Sequence, residues 1–252
     1  MIYIGIDIGS TASKVVSRGE QEFYFTLPTG WNSKETAAAI RRHLLERDVD
    51  VAAEDVTIIA TGYGRISVDY ADSIVTEITC HGKGGAHLAS EDCTIIDVGG
   101  QDTKIINVQN GIVTDFLMND KCSAGTGKFI EIMANRLNVT IDELFDLARI
   151  GAPLQISSTC TVFAESEIIN YMGEGRSRED IAAGVIDSVA AKVAVMCQRL
   201  KLLDHVIVTG GLSHNEYFAG LLSARLKKKV VEQEFGRYAG ALGAALLAER
   251  KS

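Results

Sequence analysis

Thr94-Ile95-Ile96-Asp97-Val98-Gly99-Gly100-Gln101-Asp102-Thr103-Lys104-Ile105-Ile106 decides the fold, because its pattern occurs twice in the chain. The opening Ile4-Gly5-Ile6-Asp7-Ile8-Gly9-Ser10-Thr11-Ala12-Ser13-Lys14-Val15-Val16 has the same order. Each is an apolar strand ending in Asp, a glycine-bearing turn, and a second apolar strand carrying a lysine. Two such β-hairpin units predict an internal duplication, each half a mixed sheet with helices. Around the first unit, Gln21–Leu27 alternates as a third strand. Asn32 and Glu35 have capping-box spacing before a helix ending near Arg47, and Val56–Ala60 is a further strand. Around the second, Asn110-Gly111 predicts a tight turn into Ile112–Met118. Beyond residue 125 the periodicity is mostly helical, over Gly125–Leu137, Ile141–Ala148, Val162–Met172 and Glu179–Leu202, with one strand at His205–Val208. The last helix, Tyr238–Ala248, is rich in small residues and predicts close backbone packing. The fold class is therefore α/β. Its expected halves are residues 1–92 joined by 238–252, and residues 93–237.

Composition narrows the function. The chain has 252 residues, 46% apolar and 23% charged, which is ordinary for a globular protein. A net charge of −8 argues against nucleic-acid or anionic-membrane partners. The opening Met1–Ser10 lacks the basic flank and long apolar core of a signal peptide, and no apolar run approaches the ~20 residues that span a bilayer. A cytoplasmic location is expected. Five cysteines, at 80, 93, 122, 160 and 197, form no CxxC pair and no disulfide framework.

The paired turns carry the chemistry. Their backbone N–H groups can point at phosphate oxygens, and glycine lets the backbone approach them. Gly9, Ser10, Thr11 and Ala12 form the first turn, and Gly99, Gly100, Gln101 and Asp102 the second. Asp7 and Asp97 are the expected Mg²⁺ residues, acting through water because Mg²⁺ keeps much of its hydration shell. Thr103 adds a hydroxyl, and Lys14 and Lys104 add positive charge. Gly210-Gly211-Leu212, after a buried strand, would let an adenine lie against the backbone, with Gly240 in the last helix also assigned to the nucleotide. Gln101 or Asp102 would orient the attacking water. Cys122–Lys128 ends in Gly-Thr-Gly-Lys but lacks the P-loop's first glycine and its Ser/Thr, and no GxGxxG follows a strand.

In this order, the two phosphate motifs, the adenosine motif Val206–Asn215 and the C-terminal Tyr238–Ala248 resemble the actin-like ATPase superfamily, whose ribonuclease H-like halves close on ATP. Two rarer stretches, Asn119–Lys128 around Cys122 and Ser157–Glu167 around Cys160, join Thr61-Gly62-Tyr63-Gly64-Arg65 and Glu77–Gly85. Together they resemble the ATP-dependent activators of 2-hydroxyacyl-CoA dehydratases and, more distantly, the ATPase subunits of benzoyl-CoA reductases. The resemblance covers nearly the whole chain. It implies a homodimer sharing one [4Fe-4S] cluster, which takes electrons from ferredoxin or flavodoxin and gives them to an iron–sulfur dehydratase or reductase. Four thiolates are needed for such a cluster, and a two-fold axis doubles Cys122 and Cys160 to four. Each cysteine precedes a helix whose N–H dipoles would face the anionic centre. Cys93 and Cys197 read as core residues, and Cys80-His81 is an isolated pair with little weight as a metal site. Trp31, Arg65 and Lys227-Lys228-Lys229 read as surface residues. A sugar or amino-sugar kinase of the same superfamily is the alternative, and would have no use for two cysteines before helices.

Overall fold

The computed structural model describes residues 1–119, 121–156 and 160–251. Strands β1 (Ile2–Ile8), β2 (Ala12–Gly19) and β3 (Phe23–Pro28) form an antiparallel meander, followed by helix α1 (Ser33–Leu45). Strands β4 (Val56–Thr61) and β5 (Ser73–Ile74) then add in parallel, giving the sheet order β3-β2-β1-β4-β5. Helix α2 (Glu77–Ala89) leads into the second sheet. There β6 (Cys93–Val98), β7 (Thr103–Gln109) and β8 (Ile112–Asn119) repeat the meander.

Four helices follow: α3 (Gly127–Arg136), α4 (Ile141–Ile150), α5 (Thr161–Gly173) and α6 (Arg178–Cys197). Strand β9 (Val206–Gly210), helix α7 (Glu216–Leu226) and strand β10 (Val230–Val231) complete the second sheet, in the order β10-β9-β6-β7-β8. Helix α8 (Ala239–Glu249) returns to pack on β1, β2 and β4. The two sheets share one strand order and one set of strand senses, as the repeated motif predicts.

Local chemistry explains most boundaries. Asn110 and Gly111 have φ of 52° and 71°, as a type I′ hairpin requires. Asn32 caps α1 by accepting from Lys34 N at 2.9 Å, a simple cap in place of the expected box. The reciprocal box forms at Thr140 and Glu143, at the start of α4. Ser177 caps α6, which ends at Cys197, short of the expected Leu202.

Sequence reading missed two helices. Asn215 caps α7 through Phe218 N at 3.0 Å, a legible signal. In α2, Gly82, Gly84 and Gly85 disguise a helix, since each costs ~1 kcal/mol relative to alanine. Packing offsets that cost. A Cβ on Gly84 would overlap the Ala239 carbonyl of α8, and one on Gly243 would overlap the Cys80 carbonyl of α2. The small residues of Tyr238–Ala248 thus let the two helices meet backbone to backbone.

Candidate functional site

Asp7 and Asp97 stand near the ends of the two central strands. Asp7 lies in register with Lys14 of β2 and Thr61 of β4, and Asp97 with Lys104 of β7 and Thr209 of β9. The duplicated sheets thus repeat one triad of residue types, and its Asp and Lys members line the same cleft, of about 630 Å³. Both phosphate turns line it, from Gly9 to Ala12 and from Gly99 to Asp102. Gly210, Gly211 and Leu212 line its far end with Ile130 and Glu131 of α3, a surface suited to a base and ribose. Gly210 has φ of +82°, and a Cβ there would stand 3.0 Å from Asp97 Oδ1, so glycine is required.

The electrostatics centre on Asp97 and Lys104. Asp97, 1% exposed, accepts from Thr209 Oγ1 at 2.8 Å. Its Oδ1 also stands 3.2 Å from His81 Nδ1, a close contact out of line for a hydrogen bond. Burial alone would raise its carboxyl pKa, but the charges of His81 and Lys104 outweigh that and hold it well below the usual range. Lys104 Nζ meets Asp102 at 2.7 Å, Glu77 at 3.1 Å and Asp97 at 3.5 Å. Burial disfavours its ammonium, yet Asp97, then Asp102 and Glu77, raise its pKa.

Its charge is therefore shared among three carboxylates at the cleft wall. Asp7 is 3% exposed, with Lys14 Nζ 3.8 Å away. Two nearly buried carboxylates facing one cleft, with acidic groups outnumbering the lysines, suit a divalent cation.

Two expected nucleotide residues lie behind the cleft wall. Thr103 is buried and donates to the Gly125 carbonyl at 2.7 Å. Gly240 is buried under Asp7 and His81. Conversely, Arg65 lines the cleft, with Nη1 donating to the Gly62 carbonyl at 2.9 Å, whereas Trp31 is exposed as expected. Glu77, Tyr63 and Arg237 also line it and were not foreseen. Recognising Thr76 as a helix cap would have placed Glu77 and His81 on one helix pointing inward.

The cysteines divide by environment. Cys80, Cys93 and Cys197 are buried, and desolvation pushes each thiol up to about 12. Such thiols stay protonated and are poor ligands. Cys122 and Cys160 are exposed. Cys160 is the N-cap of α5, and its side chain makes no capping bond. Helix α3 begins at Gly127, later than expected, so a short loop separates it from Cys122.

That loop is held at both ends. Gly127 N and Lys128 N donate to the Gly99 and Gly100 carbonyls at 2.9 and 2.8 Å. Ser123 and Thr161 join their hydroxyls at 2.7 Å, linking the loop of Cys122 to the helix start beside Cys160. Asp120 and residues 157–159 of the two cysteine stretches lie outside the described residues. No group of three or more His, Cys, Asp or Glu side chains among the described residues is arranged to hold a metal. Among the described residues the chain presents two exposed thiols, Cys122 and Cys160.

Comparison with known proteins bears on the family and the fold. The (R)-2-hydroxyglutaryl-CoA dehydratase activating ATPase of Acidaminococcus fermentans is 40% identical over 254 residues, 99% of this chain and 97% of that one. The solved activator of the 2-hydroxyisocaproyl-CoA dehydratase from Clostridium difficile, with bound ADPNP, superposes with a TM-score of 0.91 at 36% identity. That alignment covers 100% of this chain and 95% of the other. A ROK family glucokinase from Streptomyces griseus, at 15% identity and a TM-score of 0.60 over 99% of this chain and 100% of that one, shares the fold alone. The profile of the BadF/BadG/BcrA/BcrD ATPase family matches residues 4–248. The chain is a member of that family, an ATPase of actin-like fold.

Proposed function

We propose that the protein is an ATP-hydrolysing activator that passes low-potential electrons to a 2-hydroxyacyl-CoA dehydratase or a related CoA-ester reductase. The observation that carries this reading is the hydrogen-bonded path from the second phosphate turn to both exposed cysteines. Gly99 and Gly100 accept from the first residues of α3, Thr103 holds Gly125, and Ser123 holds Thr161 beside Cys160. A kinase has no need to connect its phosphate turn to a pair of thiols.

In this reading Cys122 and Cys160 from each of two subunits would together hold one [4Fe-4S] cluster. The cluster supplies a one-electron carrier; ferredoxin or flavodoxin would be its donor. Asp7 and Asp97 would hold Mg²⁺ through water, and the ion would offset phosphate charge. The backbone N–H groups of both turns receive the phosphates and stabilise charge on the transferring phosphoryl group. Gln101, Asp102 or Glu77 orients the water that attacks the γ-phosphorus, releasing ADP and phosphate. The halves 1–92 with 238–252 and 93–237 close on the nucleotide, α2 and α8 lying between them. Closure shifts the second turn, and the turn shifts the cysteine loop.

The test is anaerobic purification followed by iron analysis and sizing. A dimer with about two irons per chain is expected for one cubane held by two subunits. A monomer that holds four irons, or an iron-free protein under strict anoxia, refutes the bridging arrangement.

A further inference from the structure

We propose that His81 is a positioning residue that fixes the carboxylates of Asp97 and Asp7 against one another across the two halves of the ATP site. The proposal rests on the reading of those carboxylates as the magnesium-organising pair. His81 is 7% exposed and sits on α2, the helix that runs from the first sheet to the second. Its Nδ1 stands 3.2 Å from Asp97 Oδ1, which accepts from Thr209, so the imidazole edge packs against an oxygen that the threonine already holds. The opposite edge of the ring, Nε2, faces the bare Cα of Gly240. A Cβ there would lie 2.8 Å from His81 Nε2 and 2.8 Å from Asp7 Oδ2. One imidazole therefore spans the space between a carboxylate of the first sheet and a carboxylate of the second. Glycine at 240 makes that possible, since any side chain would separate the ring from Asp7.

A packing role alone would be served by an apolar side chain of similar volume. Burying an imidazole beside two carboxylates is worthwhile where its polar edges and charge hold them in place. Its two edges can be tested separately, because an asparagine amide nitrogen falls near Nδ1 and a glutamine amide nitrogen near Nε2. His81→Leu keeps bulk and removes both polar edges.

The experiment measures binding of a fluorescent ADP analogue as Mg²⁺ is titrated, alongside kcat and KM for ATP, in the intact anaerobic protein. For His81→Leu we expect the Mg²⁺ midpoint to rise, and kcat to fall, ~10–100-fold, as is usual when a ligand's supporting partner is removed. KM for ATP at saturating Mg²⁺ should move much less. His81→Asn should recover most of the loss and His81→Gln little, because the closer contact is at Nδ1. If His81→Leu does not fold, the Asn and Gln pair still decides, and Gln equal to or better than Asn overturns the proposal. So does a His81→Leu protein whose midpoint and kcat match the wild type. Asp7→Asn and Asp97→Asn separate the two levels. If they shift the midpoint while His81→Leu does not, only the His81 role fails. If neither shifts it, the magnesium assignment fails and the proposal with it.

Discussion

The two phosphate turns are copies in residue type and unlike in their connections. The first is tied to its own sheet: Thr29 Oγ1 donates to the Gly9 carbonyl at 2.7 Å, and Thr29 N to the Thr11 carbonyl at 3.1 Å. The second is tied outward, through Gly99, Gly100 and Thr103, to the loop that carries Cys122. The paired threonines differ as well. Thr209 donates to Asp97 at 2.8 Å, whereas the buried Thr61 hydroxyl makes no such bond to Asp7. Duplication thus supplies two turns of like residue type, and among the described residues it is the second that is hydrogen-bonded to the loop of Cys122. We read the first as an anchor and the second as a transmitter.

The largest expected effect comes from removing what the transmitter reaches. Cys122→Ser and Cys160→Ser should each abolish iron binding, while Cys93→Ala and Cys197→Ala should keep it. Loss of iron in either of the latter would break the ligand assignment. Thiol labelling without iron sharpens the same contrast. At pH 8 an alkylating reagent should mark Cys122 and Cys160 and spare the three buried thiols whose pKa is pushed up to about 12, as read by mass spectrometry.

Next in size is the transmitter itself. Thr103→Val keeps the shape and leaves the Gly125 carbonyl unpaired, a loss of ~1–3 kcal/mol in a buried site. Alkylation of Cys122 in the iron-free protein should respond to an ATP analogue in the wild type and much less in Thr103→Val. An unchanged response would show that the path through Gly125 does not carry the signal. The smallest effect belongs to the anchor. Thr29→Val should weaken nucleotide binding by a factor of a few, at about 0.5–1.5 kcal/mol per neutral hydrogen bond, and leave the nucleotide response of Cys122 intact. If Thr29→Val removed that response as fully as Thr103→Val, the distinction between anchor and transmitter would fall.

Much of this contrast was legible in the residue order. The two Asp–glycine-turn–Lys motifs fixed the duplicated sheets, because strand alternation and turn chemistry are local. The exposure of Cys122 and Cys160 agrees with their unusual settings, and the burial of Cys93 and Cys197 with the apolar pattern around them. What the sequence concealed was set by tertiary contact. The glycines of α2 argue against a helix until α8 is beside them, and the Thr76 cap was the one local signal that could have put Glu77 and His81 on a common helix face. Asp97 and Asp102 lie in the same hairpin as Lys104, but its third carboxylate partner, Glu77, comes from a helix that the residue pattern hides. Thr103 carries a motif position yet turns its hydroxyl to the Gly125 carbonyl, and Gly240 lies behind Asp7 and His81, placements that residue type does not reveal.

The measurement closest to the central claim follows oxidation of the reduced protein by its acceptor enzyme in a single turnover, with and without Mg-ATP. The account predicts fast oxidation with ATP and very slow oxidation without it. In Asp7→Asn and Asp97→Asn, iron content should be retained and the ATP-dependent rate lost. Equal rates with and without ATP in the wild type would contradict the coupling, leaving a nucleotide site and a thiol pair that share a chain but no mechanism.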